Sequence, residues 1–262
     1  MRSSGKWLWR LVGLISLASF ILLASGFVFA LDPRQLAAED THRPVESKKP
    51  SDRAPAEGIQ QIVALGDSLT RGVGDTSGLG YIGRVRQALE KKTGHTITLS
   101  NLAINGQESP SLVLQVSQEQ VKRQLAASDL IFITIGGNDL FKQSGELVDI
   151  DVKKLTEAAE RLTVNFEEIV KQIRSVNSQA IIIYASLYNP FGDTEAASDT
   201  IQPVLDWNSA ASTIAARYPN VIVVPTYDLF VKKEQTYLYT DHFHPNTDGY
   251  ARMAERILQA LE

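Results

Sequence analysis

A chain of 262 residues with 44% hydrophobic and 21% charged side chains has the make-up of a globular protein with one ordinary α/β-sized domain, which excludes disorder throughout. The formal net charge is −4, with a basic excess before residue 60 and an acidic one after it, so the body offers no footing for a nucleic-acid backbone. Cysteine is absent, which excludes thiol catalysis, disulfides, a thiolate metal site and a cysteine-borne lipid anchor.

Residues 1–10 form a basic segment with Arg2, Lys6 and Arg10, and Trp7 and Trp9 stand where an interfacial aromatic belt would lie. Leu11 to Leu31 follow as 21 consecutive residues without a charge. As a helix this run would span about 31 Å, the thickness of a bilayer core. Positive-inside orientation then sends residue 32 onward across the membrane. The expectation is a single-pass cell-membrane protein with an extracytoplasmic domain. Secretion after cleavage near Val28-Phe29-Ala30 is the alternative, but signal cores run only about 7–15 residues, and length favours an uncleaved anchor. Residues 32–57 hold Pro33, Pro44, Pro50 and Pro55 without strand or helix period and read as a disordered linker. The folded domain is expected over 58–262.

Within it, apolar runs predict strands at Gln61–Leu65, Thr96–Asn101, Leu130–Ile135, Ala180–Ala185 and Val221–Pro225. Helical patterns fall between and after them at about 82–93, 110–125, 152–176, 200–217 and 246–261. The clearest is 152–176, where Leu155, Ala158, Leu162, Phe166, Ile169, Ile173 and Val176 recur every three or four residues. Strands alternating with helices predict a three-layer α/β/α domain on a parallel sheet, whose ligands bind beyond the carboxyl ends of the strands.

Three of those strand ends carry unusual residues. They read Gly66-Asp67-Ser68-Leu69-Thr70, Asn101-Leu102-Ala103-Ile104-Asn105-Gly106 and Gly136-Gly137-Asn138-Asp139, and Asp241-His242-Phe243-His244-Pro245-Asn246 precedes the final helix. Acyl transfer by a serine needs a base, a group to orient that base, and donors for an oxyanion. Of four histidines, His42 lies in the linker and His95 at the amino-terminal edge of the second strand, leaving His242 and His244. Asp241 stands three residues before His244, within reach of its imidazole in a tight turn. The amides of Ser68 and Gly106 and the side chain of Asn138 would supply the donors, and Gly106 lacks the Cβ that would bar close approach.

In these four ordered blocks the sequence strongly resembles the SGNH hydrolase superfamily, also called GDSL lipases or esterases, over residues 60–262. The resemblance implies a five-stranded, flavodoxin-like parallel sheet. It makes Ser68 the nucleophile, Asp241 and His244 its triad partners, and Ser68, Gly106 and Asn138 the oxyanion hole. It implies a carboxylic ester hydrolase that needs no cofactor or metal, acting on an ester or thioester of a small molecule, lipid or acylated carbohydrate. The apolar run adds contact with the membrane through the N-terminal helix, and the acidic body speaks against nucleic acid. An O-acyltransferase or deacetylase on envelope carbohydrate is the alternative, and a non-catalytic surface-anchored binding module is a third reading.

Other features carry less. Gly78-Leu79-Gly80-Tyr81-Ile82-Gly83 matches G-x-G-x-x-G, but 12 residues separate it from Leu65, and a dinucleotide loop must follow its strand at once. His242 reads as a solvated loop residue. Asp67 and Asp139 read as holding their own turns by local hydrogen bonds. Segments 140–151 and 186–199 should line the pocket, with Leu140, Phe141, Leu147, Tyr188 and Phe191 making its mouth partly apolar and suited to an acyl chain.

Overall fold

A computed structural model describes residues 58–142 and 152–262, with isolated helical positions between Arg10 and Leu22. The anchor at 11–31 is otherwise outside the described residues, as are the linker at 32–57 and Leu147. No helix of the described residues is long and apolar enough to cross a membrane. Residues 1–52 and 53–262 form separate units, and every element below belongs to the second.

Five parallel strands, β1 (Gln61–Gly66), β2 (Thr98–Asn101), β3 (Leu130–Thr134), β4 (Ile181–Ala185) and β5 (Val221–Val224), make one sheet in the order β2-β1-β3-β4-β5. The expected flavodoxin-like sheet is therefore present. Ile62 pairs with Leu99 on one side and Leu130 on the other, so β1 is central from its first turn of ladder. The helices are α1 (Ser68–Arg71), α2 (Gly80–Thr93), α3 (Ser109–Val116), α4 (Glu119–Ala126), α5 (Gly137–Phe141), α6 (Val152–Val176), α7 (Ala197–Ala215), α8 (Tyr227–Phe230), α9 (Glu234–Tyr237) and α10 (Thr247–Ala260).

Alternation along the strands feeds two cores. Val63, Leu65, Ile131, Ile133, Ile182 and Tyr184 pack with α3, α4, α6 and α7 on one face. Ile62, Ala64, Leu130, Phe132, Ile181 and Ile183 pack with α2 and α10 on the other. Both faces are covered, which is why the strands read as unbroken apolar runs.

Several boundaries differ from expectation for local reasons. β2 begins at Thr98 and not Thr96, because the Ile97 amide donates to the Glu90 side chain at 2.9 Å, and pairing starts with Thr98 N, which donates to Gln60 O just ahead of β1. The single helix expected over 110–125 is two. Ser117 Oγ donates back to Leu114 O, and Gln118 takes an extended ψ of 134°. Helix α7 starts at Ala197, which leaves Pro203 inside it; the carbonyl that loses a donor belongs to the exposed Asp199. The one-turn helices α1 and α5 are too short for periodicity to reveal, and both follow strands at the carboxyl edge.

Candidate active site

Strands β1 and β3 are neighbours whose following connections leave toward opposite edges, so the crevice at their carboxyl ends is the switch point of the sheet. Ser68 opens α1 directly after β1, and Asn138 sits in α5 directly after β3. Asp67 caps α1: its Oδ1 accepts from Leu69 N at 3.0 Å and from Thr134 Oγ1 at 2.7 Å. Thr70 Oγ1 extends the chain to Thr134 and to Tyr81 Oη, each at 2.8 Å. Asp67 is fully buried; burial pushes its carboxyl above the usual range, against the pull of the Thr134 and Leu69 hydrogen bonds. Ser68, 7% exposed, is thus held from beneath by a buried polar network.

The histidine arrives from the far end of the chain. Leu238 bridges Pro245, and Tyr239 N donates to His244 O at 2.7 Å, closing a tight loop ahead of α10. Asn246 caps α10 by accepting from Asp248 N and Gly249 N, while its own amide donates to Thr236 O and Leu238 O. Tyr188 Oη donates to Phe243 O at 2.6 Å, tying the loop to the segment after β4, and Tyr250 Oη donates to Val73 O at 2.8 Å, tying α10 to the segment after Ser68. Within the loop Asp241 Oδ1 accepts from the amides of Phe243 and His244, both at 3.0 Å. Its Oδ2 lies 2.7 Å from His244 Nδ1, and His244 Nε2 lies 2.8 Å from Ser68 Oγ. A carboxylate only accepts, so Nδ1 carries the hydrogen and Nε2 faces the serine hydroxyl as an acceptor. Burial works to raise the Asp241 carboxyl, but the hydrogen bonds from the His244 ring and from the two amides outweigh it and hold the group below 3.8. This arrangement can take a proton from Ser68 Oγ and stabilise the resulting imidazolium.

The main-chain N–H groups of Ser68 and Gly106 have no acceptor among the described residues. Asn138 lines the cleft with Ser68, Leu69, Phe141, Tyr188 and Phe243. Gly106 does not itself line that cleft. Its neighbour Gln107 meets the site, accepting at its carbonyl from Asn138 Nδ2 at 3.1 Å. The space at Ser68 is narrow, about 20 Å³, and adjoins a groove of about 290 Å³ that shares Asn138, Phe141 and Phe243 and adds Phe191 and Thr194. A roomier groove of about 540 Å³ between α6 and α7, floored by Trp207, contains none of these residues.

Other expectations need correction. Leu140 is wholly buried in the core; successive helical residues turn by about 100°, and Phe141 takes the cleft position instead. Phe141, Tyr188 and Phe191 do line the clefts. His242 is not simply solvated: its Nε2 is 2.8 Å from Asp193 Oδ1. Asp139 does more than brace its own turn: besides a bond to its own main chain it binds Ser109, thirty residues earlier. At the glycine-rich stretch, the Asp75 carboxylate accepts from Gly80 N at 2.8 Å and pairs with Arg84, occupying the place a phosphate would need. Among the described residues no group of three or more His, Asp or Glu side chains is placed to hold a metal ion.

Residues 64–252 match the GDSL-like Lipase/Acylhydrolase family. The chain belongs to that family. It is a carboxylic ester hydrolase by that membership. It is similar to protein YpmR of Bacillus subtilis (strain 168), 36% identical over 206 residues, covering 77% of this chain and 81% of that protein. The spore germination lipase LipC of Bacillus licheniformis is 30% identical over 209 residues, covering 76% of this chain and 95% of LipC. Among solved structures, the lipase Lip_vut3 from a goat rumen metagenome has a TM-score of 0.70 at 27% identity, covering 78% of this chain and all of that one. An acetylxylan esterase of Geobacillus stearothermophilus, at a TM-score of 0.61 and 21% identity, shares the fold.

Proposed function

We propose that the enzyme cleaves its ester in two acyl-transfer steps through a covalent intermediate on Ser68. The reading rests on the unbroken run from Asp241 Oδ2 through the His244 ring to Ser68 Oγ, at 2.7 and 2.8 Å. Ser68 Oγ attacks the carbonyl carbon as its proton passes to His244 Nε2. Ser68 N–H, Gly106 N–H and the Asn138 amide hold the oxyanion, and Asp241 stabilises the imidazolium. His244 returns the proton to the departing alcohol as the C–O bond breaks. Water then gives a proton to His244 and attacks the acyl carbon; the acyl–Oγ bond breaks as His244 returns that proton to Ser68 Oγ, and the acid leaves. Ser68→Ala should abolish turnover of p-nitrophenyl butyrate and block labelling by a fluorophosphonate probe; undiminished activity would overturn the assignment.

The substrate is read as an ester with an apolar acyl chain of more than two carbons. Phe141, Phe191 and Phe243 are the support, since they line the groove beside Ser68 and Asn138. The name of the related LipC points the same way. Turnover of p-nitrophenyl esters from acetate to laurate tests this, and a maximum at acetate would reject it. The domain is read as working outside the cytoplasmic membrane, anchored by residues 11–31; the support is the 21-residue uncharged run behind a basic segment. Protease accessibility on intact cells, with extraction of membranes at high pH, tests both the side and the anchor.

A further inference from the structure

Asn138 and Asp139 are consecutive in α5, and both reach across the crevice to the segment that carries Gly106. Asn138 Nδ2 donates to Gln107 O at 3.1 Å. Asp139 goes one step further along that segment: its two oxygens accept from Ser109 N at 2.9 and 3.0 Å, and Oδ1 also accepts from Ser109 Oγ. Asn165, from α6, donates to the same Ser109 Oγ at 2.9 Å. Ser109 is fully buried and Asp139 is 8% exposed, so these bonds are closed to water.

On the other side of Gly106 the segment is tied to β1 by Ile104 N, which donates to Gly66 O at 2.8 Å, and Gln107 N closes a turn onto Ile104 O at 3.1 Å. Ile104 and Asn105 are exposed, and a Cβ built on Gly106, whose φ is +71°, would meet nothing within 4 Å. The Gly106 amide therefore lies between that main-chain tie and the buried side-chain hold at residues 107–109. An unpaired buried carboxylate is costly, and desolvation above all pushes the Asp139 carboxyl upward against the Ser109 hydrogen bonds. Oδ1 takes both the N–H and the O–H of Ser109 and Oδ2 shares the N–H, so an amide here would turn its NH2 toward that N–H, donor against donor.

We propose that Asp139 is a positioning residue for the oxyanion site, clamping Ser109 so that the Gly106 amide and the Asn138 amide are held as one rigid pair of donors. The inference rests on the oxyanion roles proposed above for Gly106 and Asn138. Asp139 moves no proton in the reaction, because both its oxygens are engaged by Ser109. Its effect belongs to the transition state, where donors displaced by a fraction of an ångström lose most of their value, and not to the ground-state ester.

The test is steady-state hydrolysis of p-nitrophenyl butyrate by Asp139→Asn and Ser109→Ala, with the affinity of each for an alkylboronic acid, which forms a tetrahedral adduct on serine. Asp139→Asn is expected to lower kcat about 10- to 100-fold with KM changed less than about threefold, and to weaken the boronate by a similar factor. Ser109→Ala keeps the amide-to-carboxylate bond and should fall between it and the wild type. Unchanged kcat in both variants, a loss confined to KM, or a boronate affinity equal to the wild type would overturn the proposal. If Asp139→Asn does not fold, Ser109→Ala decides by the same readouts. Ser68→Ala runs alongside. Activity in Ser68→Ala would sink the reading of the site itself, whereas an inactive Ser68→Ala beside a fully active Asp139→Asn sinks only the clamp.

Discussion

Gly74 backs directly onto His244: a Cβ built there would lie 3.1 Å from His244 Cβ and 2.5 Å from the Pro245 carbonyl oxygen, and the φ of +91° already disfavours a side chain. Gly74→Ala must push the histidine loop outward, lengthening the 2.8 Å contact between His244 Nε2 and Ser68 Oγ. Its kcat is expected to fall about 100-fold, as for displacements near 1 Å in reacting groups, with the thermal midpoint lowered and the far-UV spectrum retained. Steady-state kinetics and thermal circular dichroism check this together.

Asp241 concerns the same ring from its other side. Asp241→Asn can no longer accept as an anion from Nδ1, so the imidazole loses its preferred tautomer and its counter-charge. A fall in kcat on the order of 10³–10⁴ is expected. The group's folded pKa is depressed below 3.8, so the stabilisation it gives is present above that value and is lost only as pH falls through the lower, folded one. The stability gap between wild type and Asp241→Asn should hold steady from pH 7 down to about 4 and close in stronger acid, as urea titrations at each pH would reveal.

Asp67 has the opposite sign. Its folded pKa is raised, chiefly by burial, so the ionised form opposes folding once pH exceeds the ordinary carboxylate value of 3.8. Both of its hydrogen bonds fall on Oδ1, which an asparagine retains. The stability of Asp67→Asn relative to wild type is therefore expected to improve as pH rises from 3 through the raised pKa, then level off. Melting midpoints measured from pH 3 to 8 would contradict this if the difference were flat or reversed.

Strand and helix patterns carried most of the fold into view, since a sheet buried on both faces writes continuous apolar runs and an amphipathic helix such as α6 writes a 3.6-residue period. The ordered strand ends likewise picked out Ser68, Asn138, Asp241 and His244 as residues that would meet. What stayed hidden were pairings at long range. Ser109 draws no notice in sequence, and its tie to Asp139 spans thirty residues. Asp193 and Tyr188, which hold His242 and Phe243 O, lie about fifty residues before their partners. Periodicity reports that a side chain is buried, not what it meets, and one-turn elements such as α5 leave no period at all, which is how Leu140 and Phe141 came to be read alike.

Substrate choice can be probed at Phe243, whose ring also meets the His244 ring edge-on at 5.1 Å, by comparing two esters that depend on the same triad. Phe243 makes its structural bonds through the main chain, its amide to Asp241 and its carbonyl from Tyr188, so truncating the ring leaves them intact. Its ring packs 6.0 Å from that of Phe191 in the groove wall. Phe243→Ala is expected to raise KM for p-nitrophenyl octanoate about tenfold or more, the worth of roughly 2 kcal/mol of apolar contact, while KM for the acetate ester changes little. Equal effects on both esters would show that the acyl chain does not lie there.

The bond between His244 and Ser68 joins residues 176 positions apart, with α1 at the head of the domain and the histidine loop just ahead of its last helix. A ribosome therefore releases the serine long before the base that would activate it exists. Until β5 has paired and α10 has docked on α2, Ser68 is an ordinary hydroxyl with no acceptor for its proton. On the mechanism proposed above, the chemistry is switched on by completion of the fold, and a chain stopped short of His244 is expected to be inert toward esters.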